Sequence, residues 1–184
     1  MPDPVPERAA DPVRIGLIGG EGSGKTTLAS ALAAVLPACV VDESLRAFVD
    51  REGRTPRRDE QDALMTDQAD REEATAAACP HRWLVADPAP LMTAVYSLLY
   101  FDDDALVAPA VRQAGGYGLV VWCRPDVPWA PDGRQRDGSG HRDAADAIIG
   151  RLVREELAPR GIRVVEAEGD VEHRVAAVRR AWQR

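Results

Sequence analysis

The chain of 184 residues contains a single lysine, Lys25, against 22 arginines. It is also poor in aromatics, at 5%, and carries three cysteines. No apolar run approaches the ~20 residues a membrane-spanning helix needs, so a helical membrane protein is excluded. The stretch 1–11 is rich in proline and acids and has no apolar signal core; it reads as a flexible leader. Cys39, Cys79 and Cys123 are too few and too scattered for a disulfide scaffold, none forms a Cys-x-x-Cys pair, and their spacing with the histidines suits no zinc site. They are expected to pack as small apolar thiols in a cytoplasmic protein. Basic charge is the minority sign: 23 Lys+Arg against 30 Asp+Glu give a net charge of -7, which argues against nucleic acid or anionic lipid as a partner.

What is present has an ordinary globular balance, 45% apolar and 29% charged. Residues 12–184 are long enough for one domain with a sizeable core. Strands are expected at 13–19, 38–41, 82–86, 118–123 and 161–166. Helices are expected at 25–36, 44–52, 59–78, 91–100, 143–158 and 171–183. Alternating strands and helices predict a five-stranded parallel sheet covered on both faces. In such a sheet the loops beyond the strand C-termini carry the site. No heptad run or unusual apolar block demands self-assembly, and a homo-oligomer stays open.

Gly19-Gly20-Glu21-Gly22-Ser23-Gly24-Lys25-Thr26 matches G-x-x-x-x-G-K-[ST] without a mismatch, between a strand and a helix. Glycines let the chain wrap so that successive N–H groups face phosphate oxygens, and the following helix start adds its partial positive charge. Gly20, Glu21, Gly22, Ser23, Gly24, Lys25, Thr26 and Thr27 are therefore expected to hold a nucleoside triphosphate, with Lys25 reaching the β/γ-phosphates and Thr26 binding Mg2+. With its only lysine used here, the chain has no Asn-Lys-x-Asp element for reading guanine, so ATP is the default.

Two carboxylates end the next strands. Asp87 follows Trp83-Leu84-Val85-Ala86 and is placed as the acid that positions magnesium. Glu43 and Asp42 follow the second strand, where an acceptor hydroxyl is oriented or deprotonated. Arg46 shares a helical face with Glu43 and either pins it or reaches phosphate. A basic loop, Arg54 to Arg58, suits an anionic acceptor.

After the fourth strand comes a long excursion, read as a lid over about 124–142. Its passage Pro125-Asp126-Val127-Pro128-Trp129-Ala130-Pro131-Asp132-Gly133-Arg134-Gln135-Arg136 offers Trp129 to stack on a ring and Asp132 at a tight turn. Arg134, Arg136 and Arg142 are spaced to close over a transferring phosphoryl group.

Together these motifs resemble the nicotinamide riboside kinase domain of the bacterial NAD-salvage protein and its standalone P-loop ATPase/kinase relatives, over about residues 13 to 180. The phosphate loop, Val41-Asp42-Glu43-Ser44-Leu45-Arg46 and the Trp129-to-Arg134 passage carry the likeness. Ser44 stands where the family has Tyr, and Asp87-Pro88-Ala89-Pro90-Leu91-Met92-Thr93 replaces its Thr-rich segment. The resemblance implies a P-loop NTPase fold and ATP- and magnesium-dependent phosphoryl transfer to a small nucleoside-like substrate, with the 5′-hydroxyl of nicotinamide riboside as the acceptor. A nucleoside monophosphate kinase and a regulatory P-loop ATPase without an acceptor are the alternatives.

Overall fold

The structure, a computed structural model, describes residues 11–127 and 139–183. Most of the leader, together with Trp129, Asp132, Arg134 and Arg136, lies outside the described residues. The elements run β1 (Val13–Ile18), α1 (Lys25–Val35), β2 (Ala38–Val41), α2 (Ser44–Glu52), α3 (Gln61–Ala78), β3 (Trp83–Ala86), α4 (Leu91–Phe101), α5 (Val107–Ala114), β4 (Leu119–Cys123), α6 (Ser139–Leu152), β5 (Val164–Ala167) and α7 (Val171–Trp182). A short 3-10 turn, Arg58–Glu60, leads into α3.

The five strands form one parallel sheet in the order β2-β3-β1-β4-β5. The two-residue period of the strands divides their side chains between two cores. On one face Ile15, Leu17, Val85, Leu119 and Val121 pack against Leu28 and Leu32 of α1 and Val178 of α7. On the other, Ile18, Val120 and Trp122 pack against Met92 and Val95 of α4, Val111 of α5 and Ile149 of α6. Strands buried on both faces explain the near-continuous apolar runs in the sequence. Among the described residues no helix is long and apolar enough to cross a membrane.

Three expectations need correction. Helix α5 was not anticipated; its buried Ala110, Val111 and Ala114 form a short stripe, and Pro109 sits in its first turn, where proline is tolerated. Helix α6 starts at Ser139 rather than near Asp143 and continues through a π turn, Val153–Leu157, and a 3-10 turn, Ala158–Arg160. Gly161 then ends it in the left-handed region (φ 71), so β5 begins at Val164 rather than at that glycine. Finally, Cys39 and Cys79 are not separate thiols. Helix α3 packs along β2, which brings the residue just past its end to 6.1 Å (Cα–Cα) from Cys39, and the two form a disulfide. Cys123 does behave as expected, a buried thiol that desolvation pushes up to about 11.

Candidate active site

The sheet order puts the C-terminal ends of β2, β3, β1 and β4 side by side, so Glu43, Asp87, the phosphate loop and Arg124 follow one another along a single edge. The Asp87 N–H donates to the Val41 carbonyl at 3.1 Å and the Ala89 N–H to the Leu17 carbonyl at 2.9 Å, which fixes the post-strand turns against their neighbours. A cavity of ≈ 1530 Å³ opens along this edge. Its walls include Glu21, Gly22, Gly24, Lys25, Thr26 and Thr27 at one end and residues of α2, α3 and α4 at the other.

The phosphate loop has the geometry its sequence predicts. Gly24 holds φ 83, a conformation open to glycine, and forms the N-cap of α1 without any side-chain cap. The first turn of α1 has no acidic residue, so its partial positive charge is left for an anion. Lys25 folds over the loop, its Nζ donating to the carbonyls of Gly19 at 2.8 Å and Gly20 at 3.0 Å. Thr26 and Thr27 are exposed on the cavity side, whereas Ser23 is buried beneath the loop.

Two arginines brace the loop. Gly20 lies directly under the first turn of α6: an added Cβ would stand 3.0 Å from the Arg142 carbonyl oxygen and 3.2 Å from its Cγ. Arg142 is thus in the cavity wall, and its Nη1 donates to the Val127 carbonyl at 3.1 Å. Arg174 of α7, 2% exposed, lies on the loop's other flank and donates to the Ser23 carbonyl at 2.6 Å. Sequence reading missed Arg174. The signal was there: it falls on the same helical stripe as Val171 and Val178, an arginine on an apolar face.

At the other end of the cavity Glu43 is the N-cap residue of α2, and its carboxylate is 4.0 Å from Arg46. Burial holds the Glu43 carboxyl above the usual carboxylate range; Lys25 and Arg46 pull it back and Asp87 pushes it further up. The same cations and the same neighbouring acid thus act on one buried group, which ties the second strand's end to the phosphate loop. Asp87 is 8% exposed and lines the cavity. Asp42, expected beside the acceptor, is exposed and is not part of the cavity wall, because successive residues of an extended segment point opposite ways.

The polar wall of α3 was not foreseen. Gln61 and Gln68, two turns apart and buried, line the cavity beside Leu64. Gln68 Oε1 accepts from the Ser44 N–H at 2.8 Å, while Gln68 Nε2 is buried with no hydrogen-bond partner among the described residues. Buried glutamines at helical spacing were legible, but only as part of a core stripe. Two of the three arginines of the basic loop are paired, Arg54 with Glu60 at 2.7 Å and Arg58 with Asp103 at 2.7 Å, and Arg57 between them lines the cavity.

Hard oxygen donors, a hydroxyl at Thr26 and a carboxylate at Asp87, suit magnesium, which binds through one or two protein oxygens plus phosphate and water. Among the described residues no cluster of three or more His, Cys, Asp or Glu gathers as a softer metal site would require.

No curated protein sequence matches the chain. Solved structures do. NadR protein in complex with NR aligns with a TM-score of 0.72 at 18% identity, over 95% of this chain and 52% of NadR, so the chain spans about half the length of that protein. Thymidylate kinase from Candida albicans aligns with a TM-score of 0.67 at 12% identity, covering 94% of this chain and 92% of that one. Deoxyadenosine kinase from M. mycoides, bound to dCMP and dCDP, aligns with a TM-score of 0.65 at 11% identity, covering 93% and 99%. The resemblance read from the three motifs therefore holds at the level of fold, an α/β P-loop kinase-like architecture. Residues 14–174 match the AAA domain family, and the chain belongs to it.

Proposed function

We propose that the protein transfers the γ-phosphoryl group of ATP to a hydroxyl of a small nucleoside-like acceptor, with the 5′-hydroxyl of nicotinamide riboside as the best candidate. The observation that carries this reading is Glu43: a half-buried carboxylate, held above its usual range, in one cavity with Lys25 and the phosphate loop. A base poised nearer to neutrality serves an acceptor hydroxyl; simple triphosphate binding has no use for it. NadR, similar in fold, was solved in complex with NR, which supports a riboside.

In this mechanism the loop N–H groups and Lys25 bind and orient the β- and γ-phosphates. Thr26 and Asp87 would hold magnesium, which when bound offsets phosphate charge. Glu43 accepts the proton of the acceptor hydroxyl. Arg142, already against Gly20 and in the cavity wall, supplies positive charge beside the phosphates. The far wall, with Ser44, Gln61 and Gln68, receives the rest of the acceptor.

A monophosphate acceptor is the weaker reading, because two of the three arginines of the basic loop, Arg54 and Arg58, already pair with Glu60 and Asp103. The test offers magnesium-ATP with a panel of ribosides and nucleoside monophosphates and follows consumption of each acceptor. Turnover of nicotinamide riboside above background hydrolysis is expected. Turnover of monophosphates alone would move the assignment to a nucleotide kinase, and hydrolysis indifferent to any acceptor would make the protein a regulatory ATPase.

A further inference from the structure

Arg174 is placed too centrally to be a simple core contact. Its guanidinium is buried, and four of its five N–H bonds are committed. Nε donates to the Gly169 carbonyl at 2.9 Å, Nη1 to the Ser23 carbonyl at 2.6 Å, and Nη2 to the Arg124 carbonyl at 3.1 Å and to Asp126 Oδ1. The other Asp126 oxygen accepts from the Gly169 N–H at 2.5 Å. One side chain thus joins the phosphate loop after β1, the segment after β4 and the turn after β5. Val127, next to Asp126, accepts from Arg142, and Arg142 packs on Gly20 at the loop's start. The chain of contacts closes a ring from Ser23 through Arg174, Asp126 and Arg142 back to the loop.

Peptide geometry gives this ring a role. In a trans peptide the carbonyl and the following N–H point in opposite directions. With the Ser23 carbonyl drawn to Arg174, the Gly24 N–H faces away from Arg174, across the loop. We propose that Arg174, held by Asp126, is a positioning residue for triphosphate binding: it orients the Ser23–Gly24 peptide so that its N–H meets a phosphate oxygen, and it keeps Arg142 in register with the loop. The proposal rests on the reading of residues 19–27 as a triphosphate site but not on any acceptor.

The test uses the full chain with Arg174→Lys, Arg174→Met and Asp126→Asn. A fluorescent ATP analogue reports triphosphate affinity, AMP is the control without β- and γ-phosphates, and thermal melting reports the fold. Arg174→Met and Asp126→Asn are expected to weaken triphosphate binding by about tenfold or more while AMP binding changes by less than about twofold, as expected for losing a charge-assisted hydrogen bond. Arg174→Lys, which keeps the charge but not the fork, should recover only part of the loss. Should Arg174→Met fail to fold, the two milder variants carry the test. A lowered melting temperature with unchanged triphosphate affinity overturns the proposal, as does an equal loss for AMP and triphosphate. Wild-type protein that binds triphosphate yet phosphorylates no acceptor would overturn the kinase reading alone; wild-type protein that binds none would overturn both.

Discussion

The two ends of the cavity are built on different principles. The nucleotide end is made from backbone: glycine dihedrals, a helix start and a lysine, all contiguous in sequence between Gly19 and Thr27. The acceptor end is made from side chains, Glu43, Ser44, Gln61, Gln68 and Tyr96, delivered by α2, α3 and α4. A backbone site tolerates almost any sequence around it provided the glycines and lysine stay. A side-chain site changes its chemistry with each substitution, so the fold can be shared with thymidylate and deoxyadenosine kinases at 11–12% identity without fixing that end of the cavity.

This contrast can be broken from either end. The largest effect is expected from Lys25→Met: a loss of phosphoryl transfer on the order of 10³-fold or more, with the melting temperature retained. Because Lys25 is the only lysine, an amine-reactive reagent should label the wild type there and at the α-amine, with ATP protecting the former. Transfer that survives in the folded variant would remove the nucleotide end from the chemistry.

Glu43→Gln is next, with a loss on the order of 10²- to 10³-fold at neutral pH. A base acts when ionised, and burial raises this carboxyl. The wild-type rate should therefore rise with pH through a limb above the usual carboxylate range, and the variant should lack that limb. A pH profile with the same limb in both proteins would place the base elsewhere.

Glu72 sharpens the comparison, because it lies on α3 without lining the cavity. Both its oxygens accept from the Tyr117 hydroxyl at 2.8 Å, and burial lifts its carboxyl to about 7, against a partial pull down from that bond and from Arg14. The fold favours the neutral form, so its contribution to stability is full below the unfolded value of 4.5 and is lost as pH rises through about 7. Glu72→Gln keeps the Tyr117 contact without the charge. It should gain about 3 kcal/mol over wild type at about pH 8 and nothing at about pH 4, measured by urea unfolding. Equal stability at both would mean that Glu72 stays ionised at no cost.

The smallest effect is expected from Gln68→Met. The acceptor KM should rise about tenfold with the nucleotide KM unchanged within about twofold, consistent with losing one buried hydrogen bond to the substrate. Equal changes in both constants would erase the distinction between the two ends.

Much of this was legible in the chain, and the reasons divide along the same line. β2 and α2 have the bounds expected of them, because Pro37 and Gly53 punctuate them. The phosphate loop is contiguous and needed no topology. Asp87 and Glu43 could be placed because parallel strands deliver their C-termini to one edge. Arg174, Gln61 and Gln68 escaped, since a polar residue on an apolar stripe signals burial without naming what it touches. The Cys39–Cys79 bond escaped for a related reason: its ends are 40 residues apart, and only the packing of α3 along β2 brings them together.

That bond encloses Glu43, Ser44, Arg46, Gln61 and Gln68, and none of the phosphate loop. In the chain-entropy account, a closed loop of this length removes about 4 kcal/mol of denatured-state freedom. The wall residues of α2 and α3 thus belong to a segment that stays tied to itself even in the unfolded chain, whereas the phosphate loop and Tyr96 of α4 lie outside the closed loop.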